Sequence, residues 1–147
     1  MNRRKLTALA GMALIVCASV AAVADDRAYT EGPVVNVSAI RTEPGKFDEY
    51  MKYLATTWKA RQEAAKKAGY VVSYRVVTVA PRSDNDPDLY LVINYKNWAA
   101  LDGLTAKQDE ISKQIEGSVA ASTEGVINRG KIRRQLGSWT GQELNLK

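Results

Sequence analysis

Residues 34–54 read VVNVSAIRTEPGKFDEYMKYL, and this stretch decides the fold. Its opening alternates. Val35, Val37 and Ala39 point one way and Asn36 and Ser38 the other, which describes a strand with one dry face and one mixed face. Thr42-Glu43-Pro44-Gly45 stops the strand. Pro44 presets φ near a helix start, where its missing N–H costs nothing. A helix is predicted from Lys46 to Ala68, because Phe47, Tyr50, Met51, Leu54, Trp58 and Ala65 recur on one apolar stripe. Lys46, Glu49, Lys52, Lys59, Gln62, Lys66 and Lys67 fall mostly outside that stripe. Gly69 then supplies the left-handed residue that ends a helix.

Downstream, Tyr70 to Val79 reads as a second strand, with Tyr70, Val72, Tyr74 and Val76 on one face and Val71, Ser73, Arg75 and Val77 on the other. A turn-rich loop, Arg82 to Asp88, leads to a third strand, Leu89 to Lys96. There Leu89, Leu91, Ile93 and Tyr95 alternate with Tyr90, Val92 and Asn94, and the short connection suits antiparallel neighbours. Asn97 can cap a second helical region, broken near Gly103 and Thr105. A further helical stretch is predicted over Ser122 to Leu136, and a last strand over Trp139 to Leu146, with Gln142, Leu144 and Leu146 on one face.

Upstream, residues 1–24 do not belong to this domain. Arg3, Arg4 and Lys5 precede the apolar run Leu6 to Ala22, and Ala22-Val23-Ala24 gives the small-x-small pattern of a cleaved secretory signal. Val16 before Cys17 is bulky and branched, which disfavours a lipidation site. Asp25 to Pro33 is polar and reads as a flexible leader, so the folded domain is expected over residues 34–147. Three of the 21 basic residues and none of the 16 acidic ones lie in residues 1–24, leaving 18 against 16 and a net charge of +2. That balance gives no case for nucleic acid. The single cysteine leaves with the signal, which fits a periplasmic or secreted protein that needs no disulfide. No membrane association is expected once the signal is removed.

The order strand, helix, strand, strand, helices, strand is the β-α-β-β-α-β order of a ferredoxin-like α+β domain, with one antiparallel sheet and helices on one face. The other face is then expected to carry Val34, Val71, Val77 and Val92 among its polar groups. So many branched residues call for a cover, which a two-fold partner supplies. The strand at 34–40, the turn Glu43-Pro44-Gly45-Lys46-Phe47-Asp48-Glu49-Tyr50 and the strand–Asn97-Trp98 junction resemble those of the dimeric α+β barrel superfamily. That group includes antibiotic-biosynthesis-monooxygenase-like and NIPSNAP-like domains. The resemblance implies a homodimer whose sheets pack face to face. It transfers no catalytic residue: haem-handling members use a histidine, and this chain has none.

The mixed sheet face offers Asn36, Ser38, Ser73, Arg75, Tyr90 and Asn94 as cavity candidates. Arg75 can hold a carboxylate or enolate, and Tyr90 can donate a hydrogen bond. The bland alternative is that Arg75 pairs across the interface and the others are satisfied locally. Trp58, Trp98 and Trp139 are read first as core or interface anchors. Asp84, Asp86 and Asp88 resemble the start of a calcium loop, but Leu89 stands where a glycine is needed, so a solvated turn is expected. Arg129, Lys131, Arg133 and Arg134 read as a solvated basic face near a helix end. Without His or Cys after residue 24, no metal site and no cofactor are expected. The expected function is a homodimeric binder of a small apolar or anionic molecule. The alternative is a cofactor-independent monooxygenase or isomerase acting on a phenolic or enolisable substrate.

Overall fold

The computed structural model describes residues 26–147. The expected signal peptide at 1–24, Cys17 included, lies outside the described residues. Strand β1 is Tyr29–Thr42. Helix α1, Phe47–Tyr53, continues through a π-helical turn, Leu54–Trp58, into α2, Lys59–Lys67. Strands β2, Val71–Thr78, and β3, Leu89–Tyr95, follow. A 3-10 turn, Trp98–Leu101, precedes α3, Leu104–Glu116, then α4, Val119–Arg129, and β4, Arg133–Leu146. The chain is thus an α+β protein with a four-stranded antiparallel sheet in the order β2-β3-β1-β4.

The helices lie on one face of that sheet. Near one end Val34, Val71 and Tyr95 pack with Ala65 of α2 and Ile111 of α3. Near the other, Ile40, Leu89 and Leu91 pack with Tyr50, Leu54 and Trp58. Both clusters follow from periodicity: alternate residues of β1 and β3 meet residues three or four apart on the helices. Three local devices hold the joints. Gly69 takes φ +85° after α2, a conformation a β-carbon would strain. The Asn97 side chain accepts from the Ala100 N–H at 3.0 Å and starts the 3-10 turn. The Asp88 carboxylate accepts from the Thr42 N–H at 3.1 Å and from the Thr42 hydroxyl, tying the β2–β3 loop to the end of β1.

Four expectations need correction. The first strand begins at Tyr29, so most of the expected leader is sheet: Tyr29 pairs with Leu146 and Glu31 with Leu144. Gly32-Pro33 sits at a register shift in that ladder, one of the few places a sheet accepts proline. The expected helix over Ser122 to Leu136 ends at Arg129, and residues from Arg133 onward pair with β1 instead. A bulge between Val71 and Ser73 turns Val71 to the helix side, away from Ser73, Arg75 and Val77. On β1 the faces are inverted: Val34 and Ile40 meet the helices, while Val35 and Val37 join Val92 in a separate cluster on the opposite face.

Candidate functional site

The face away from the helices is built in rows by the strand register. Arg75, Val92, Val37 and Trp139 form the central row across β2, β3, β1 and β4. Val77, Tyr90, Ala39 and Gly137 form the row on one side; Ser73, Asn94, Val35 and Gly141 form the row on the other. Period-two alternation puts all of these on one face. Trp139 therefore has a glycine before and after it on its own face. Its indole lies over Gly141, where an added β-carbon would meet the ring at 3.4 Å. Val37, Arg75, Val77, Tyr90, Val92 and Trp139 line a shallow concavity of about 360 Å³.

Of the six candidates, Ser73, Arg75, Tyr90 and Asn94 share this face, and Arg75 and Tyr90 line the concavity itself. Asn36 and Ser38 do not join them. They alternate with Val35 and Val37, opposite Ile93 and Leu91, and so belong to the helix side. Asn36 is occupied locally: its Nδ2 donates to Thr140 Oγ1 at 2.9 Å and to the Trp139 carbonyl at 3.3 Å. Trp139 lines the concavity, a role the sequence allows for it but ranks below that of a core or interface anchor. Gly137-Ser138-Trp139-Thr140-Gly141 is the signal, because bare positions either side of a tryptophan let its ring lie along a sheet.

The polarity of the face is unbalanced. Arg75 is exposed and takes part in none of the ion pairs found among the described residues. Asn94 is 8% exposed, and no donor among the described residues reaches its Oδ1. A buried acceptor without a donor is costly, and this sheet face carries that cost at Asn94.

The remaining charged clusters are internal ties. Asp84 pairs with Arg41 at 3.4 Å, and Asp86 accepts from the Arg82 N–H at 2.9 Å, as a turn would use them. That backbone hydrogen bond holds the Asp86 carboxyl below its ordinary range. No group of three or more His, Cys, Asp or Glu is arranged to hold a metal among the described residues. The basic cluster is not a simple solvated face. Arg129 lies 4.3 Å over the Tyr53 ring, and Arg134 pairs with Glu43 at 3.2 Å. Arg133 contacts the Tyr50 hydroxyl.

Burial is the main reason that Tyr50, Tyr53 and Tyr95 are held above their ordinary pKa of 10.0. The unfolded chain ionises these phenols near that value, whereas the folded protein keeps them protonated to higher pH. Stability present below pH 10 is therefore lost as pH rises through the folded values. Urea midpoints followed by circular dichroism are expected to fall above about pH 10, and to fall less steeply in Tyr95→Phe.

No protein-family model matches the chain, and no curated protein matches it. Solved structures do. HapK from Hahella chejuensis superposes with a TM-score of 0.50 at 12% identity, over 75% of this chain and 91% of that one. Protein SO0527 from Shewanella oneidensis superposes with a TM-score of 0.50 at 14% identity, over 80% of this chain and 96% of that one. At these identities the likeness shows the fold alone. Among the described residues, no helix is long and apolar enough to cross a membrane.

Proposed function

We propose that the protein is an exported homodimer of the dimeric α+β barrel type, with the ferredoxin-like strand order of that group, and that it holds a small apolar or anionic molecule between its two sheets. One observation carries the proposal: a 360 Å³ concavity with Trp139 exposed and Arg75 lacking a counter-charge lies at the centre of a sheet face that no helix covers. A two-fold partner would roof the concavity and turn it into an enclosed pocket, apolar in its walls with a few polar groups, as small-molecule sites are. Arg75 is then the group that selects an anion, and Tyr90 and Asn94 supply hydrogen bonds.

Light scattering at micromolar concentration is expected to give twice the chain mass. Calorimetric titration with benzoate is expected to give heat that Arg75→Gln reduces at least several-fold, through loss of a charge-assisted bond. A monomeric wild-type protein removes the proposal. Benzoate binding that Arg75→Gln leaves unchanged removes the site.

A further inference from the structure

A second set of unpartnered polar groups lies on the other side of the sheet. Gln62 of α2, Tyr70 ahead of β2, Tyr95 at the end of β3 and Gln108 of α3 line a small chamber of about 40 Å³ beneath the helices. Gln62 and Tyr70 are each 9% exposed and Tyr95 is 6% exposed. Their side-chain polar groups, and that of Gln108, form no hydrogen bond with another described residue. Gln108 is exposed, and the polar atoms of the other three are not sealed from solvent, so these groups are open to hydrogen-bond either water or the polar end of a guest.

Two features favour a guest. First, Tyr70 and Ile111 also line a larger hollow of about 330 Å³ between α2 and α3, walled in part by Ala64 and Ala68. The polar chamber and the apolar hollow thus share a wall. Second, α3, which forms one side of both, is flanked by two left-handed glycines, Gly103 at φ +63° and Gly117 at φ +84°. Such joints let a helix shift as a body.

Charge decides the class of guest. Arg61 borders the chamber but is spent on Glu116, on Ser112 at 2.9 Å and on Ser122 at 3.2 Å. Lys107 borders the hollow but donates to the Ala100 carbonyl at 2.9 Å and lies 5.4 Å over the Tyr70 ring. Glu110 is paired with Lys113 at 2.7 Å. What remains free is neutral: the amides of Gln62, Gln108 and Gln114 and the phenols of Tyr70 and Tyr95. We propose that the chamber and hollow form a binding site for a small neutral amphiphile, a hydroxyl or ketone head on a compact apolar body. The head is read by Gln62, Tyr95 and Gln108, and the body lies between α2 and α3. This site is independent of the sheet-face pocket and does not need the dimer.

The test titrates the full-length protein with 2-naphthol, naphthalene and 2-naphthoate at neutral pH, by intrinsic fluorescence and calorimetry. The expected order is 2-naphthol at least about tenfold tighter than either of the others, because only it satisfies the chamber without bringing a charge. Gln62→Leu is expected to remove that preference, bringing 2-naphthol to the affinity of naphthalene for the same variant. Ala68→Leu, which narrows the hollow from a more exposed position, is expected to weaken both neutral probes. Three results overturn the proposal: no binding of 2-naphthol, a preference that survives Gln62→Leu, or 2-naphthol binding that Trp139→Ala abolishes while Gln62→Leu spares it. The last would place the probe on the open sheet face and leave the dimer reading standing.

Discussion

Val77→Asp is expected to be a folded monomer. Val77 is 39% exposed on β2, on the open face, directly across from Tyr90. In a single protomer an aspartate there stays in contact with water, and Arg75 stands two residues away on the same face, so the fold has little reason to fail. In the proposed dimer the same carboxylate is enclosed. Taking that carboxylate out of water costs several kcal/mol, of which Arg75 on the same face offsets only a part. Two-fold symmetry applies the cost twice, so association weakens by more than about a thousandfold. The measurement is size-exclusion chromatography with light scattering at micromolar concentration, with circular dichroism to show retained structure. Val126→Asp is the control. Val126 is 50% exposed on α4, away from this face, and the variant is expected to keep the wild-type mass. A Val77→Asp protein that remains dimeric places the interface elsewhere.

The strands were legible wherever alternation was unambiguous. Leu89, Leu91, Ile93 and Tyr95 form one face of β3 in both the sequence and the structure, because their partners Tyr90, Val92 and Asn94 cannot replace them against the helices without loss of apolar area. On β1 that asymmetry is missing. Val34 and Ile40 bracket Asn36 and Ser38 on one face, while Val35, Val37 and Ala39 make the other, and either set can serve a core. A one-residue choice then inverts every side chain, which is why Asn36 and Ser38 were placed with Arg75. The bulge that turns Val71 over has no local sequence mark. It arises from the pairing of Val71 with Tyr95 and of Ser73 with Asn94, a tertiary fact. The helical spacing of Val126, Ile127, Ile132 and Leu136 was real but was overridden beyond Arg129, where a long ladder to β1 offers more than continued helix. Gln62 was missed for a different reason. It stands four residues after Trp58 and three before Ala65, so helical spacing puts it on the buried stripe, and only its polar side chain kept it out of the apolar count.

Trp139→Ala is expected to cost the dimer more than any other truncation on this face. Of the four valines on it, Val35, Val37 and Val92 are already buried within the protomer, at 5–8% exposure, and have little left to gain from a partner; Val77, at 39%, is the smaller of the two apolar groups still presented. Trp139 is 58% exposed, and it is the largest apolar group the face still presents. Burying a large aromatic side chain at an interface centre is worth about 2–4 kcal/mol by truncation. The row geometry adds a second contribution. Arg75 and Trp139 stand at opposite ends of the same row, on the two edge strands. A two-fold axis parallel to the strands, running between β3 and β1, lays each Arg75 against the Trp139 of the other copy. An axis across the strands instead sets Arg75 against Arg75, a like-charge contact in a partly dry space. The first arrangement gains a cation–π contact of about 0.5–2 kcal/mol, twice over, and the second loses by repulsion. A double-mutant cycle on the dissociation constant therefore has a definite sign: Trp139→Ala and Arg75→Met are expected to be coupled favourably, by about 1 kcal/mol or more for the pair of contacts. Additive effects would leave Trp139 an anchor but exclude the strand-parallel two-fold. A Trp139→Ala protein as tightly dimeric as wild type would remove this face from the interface.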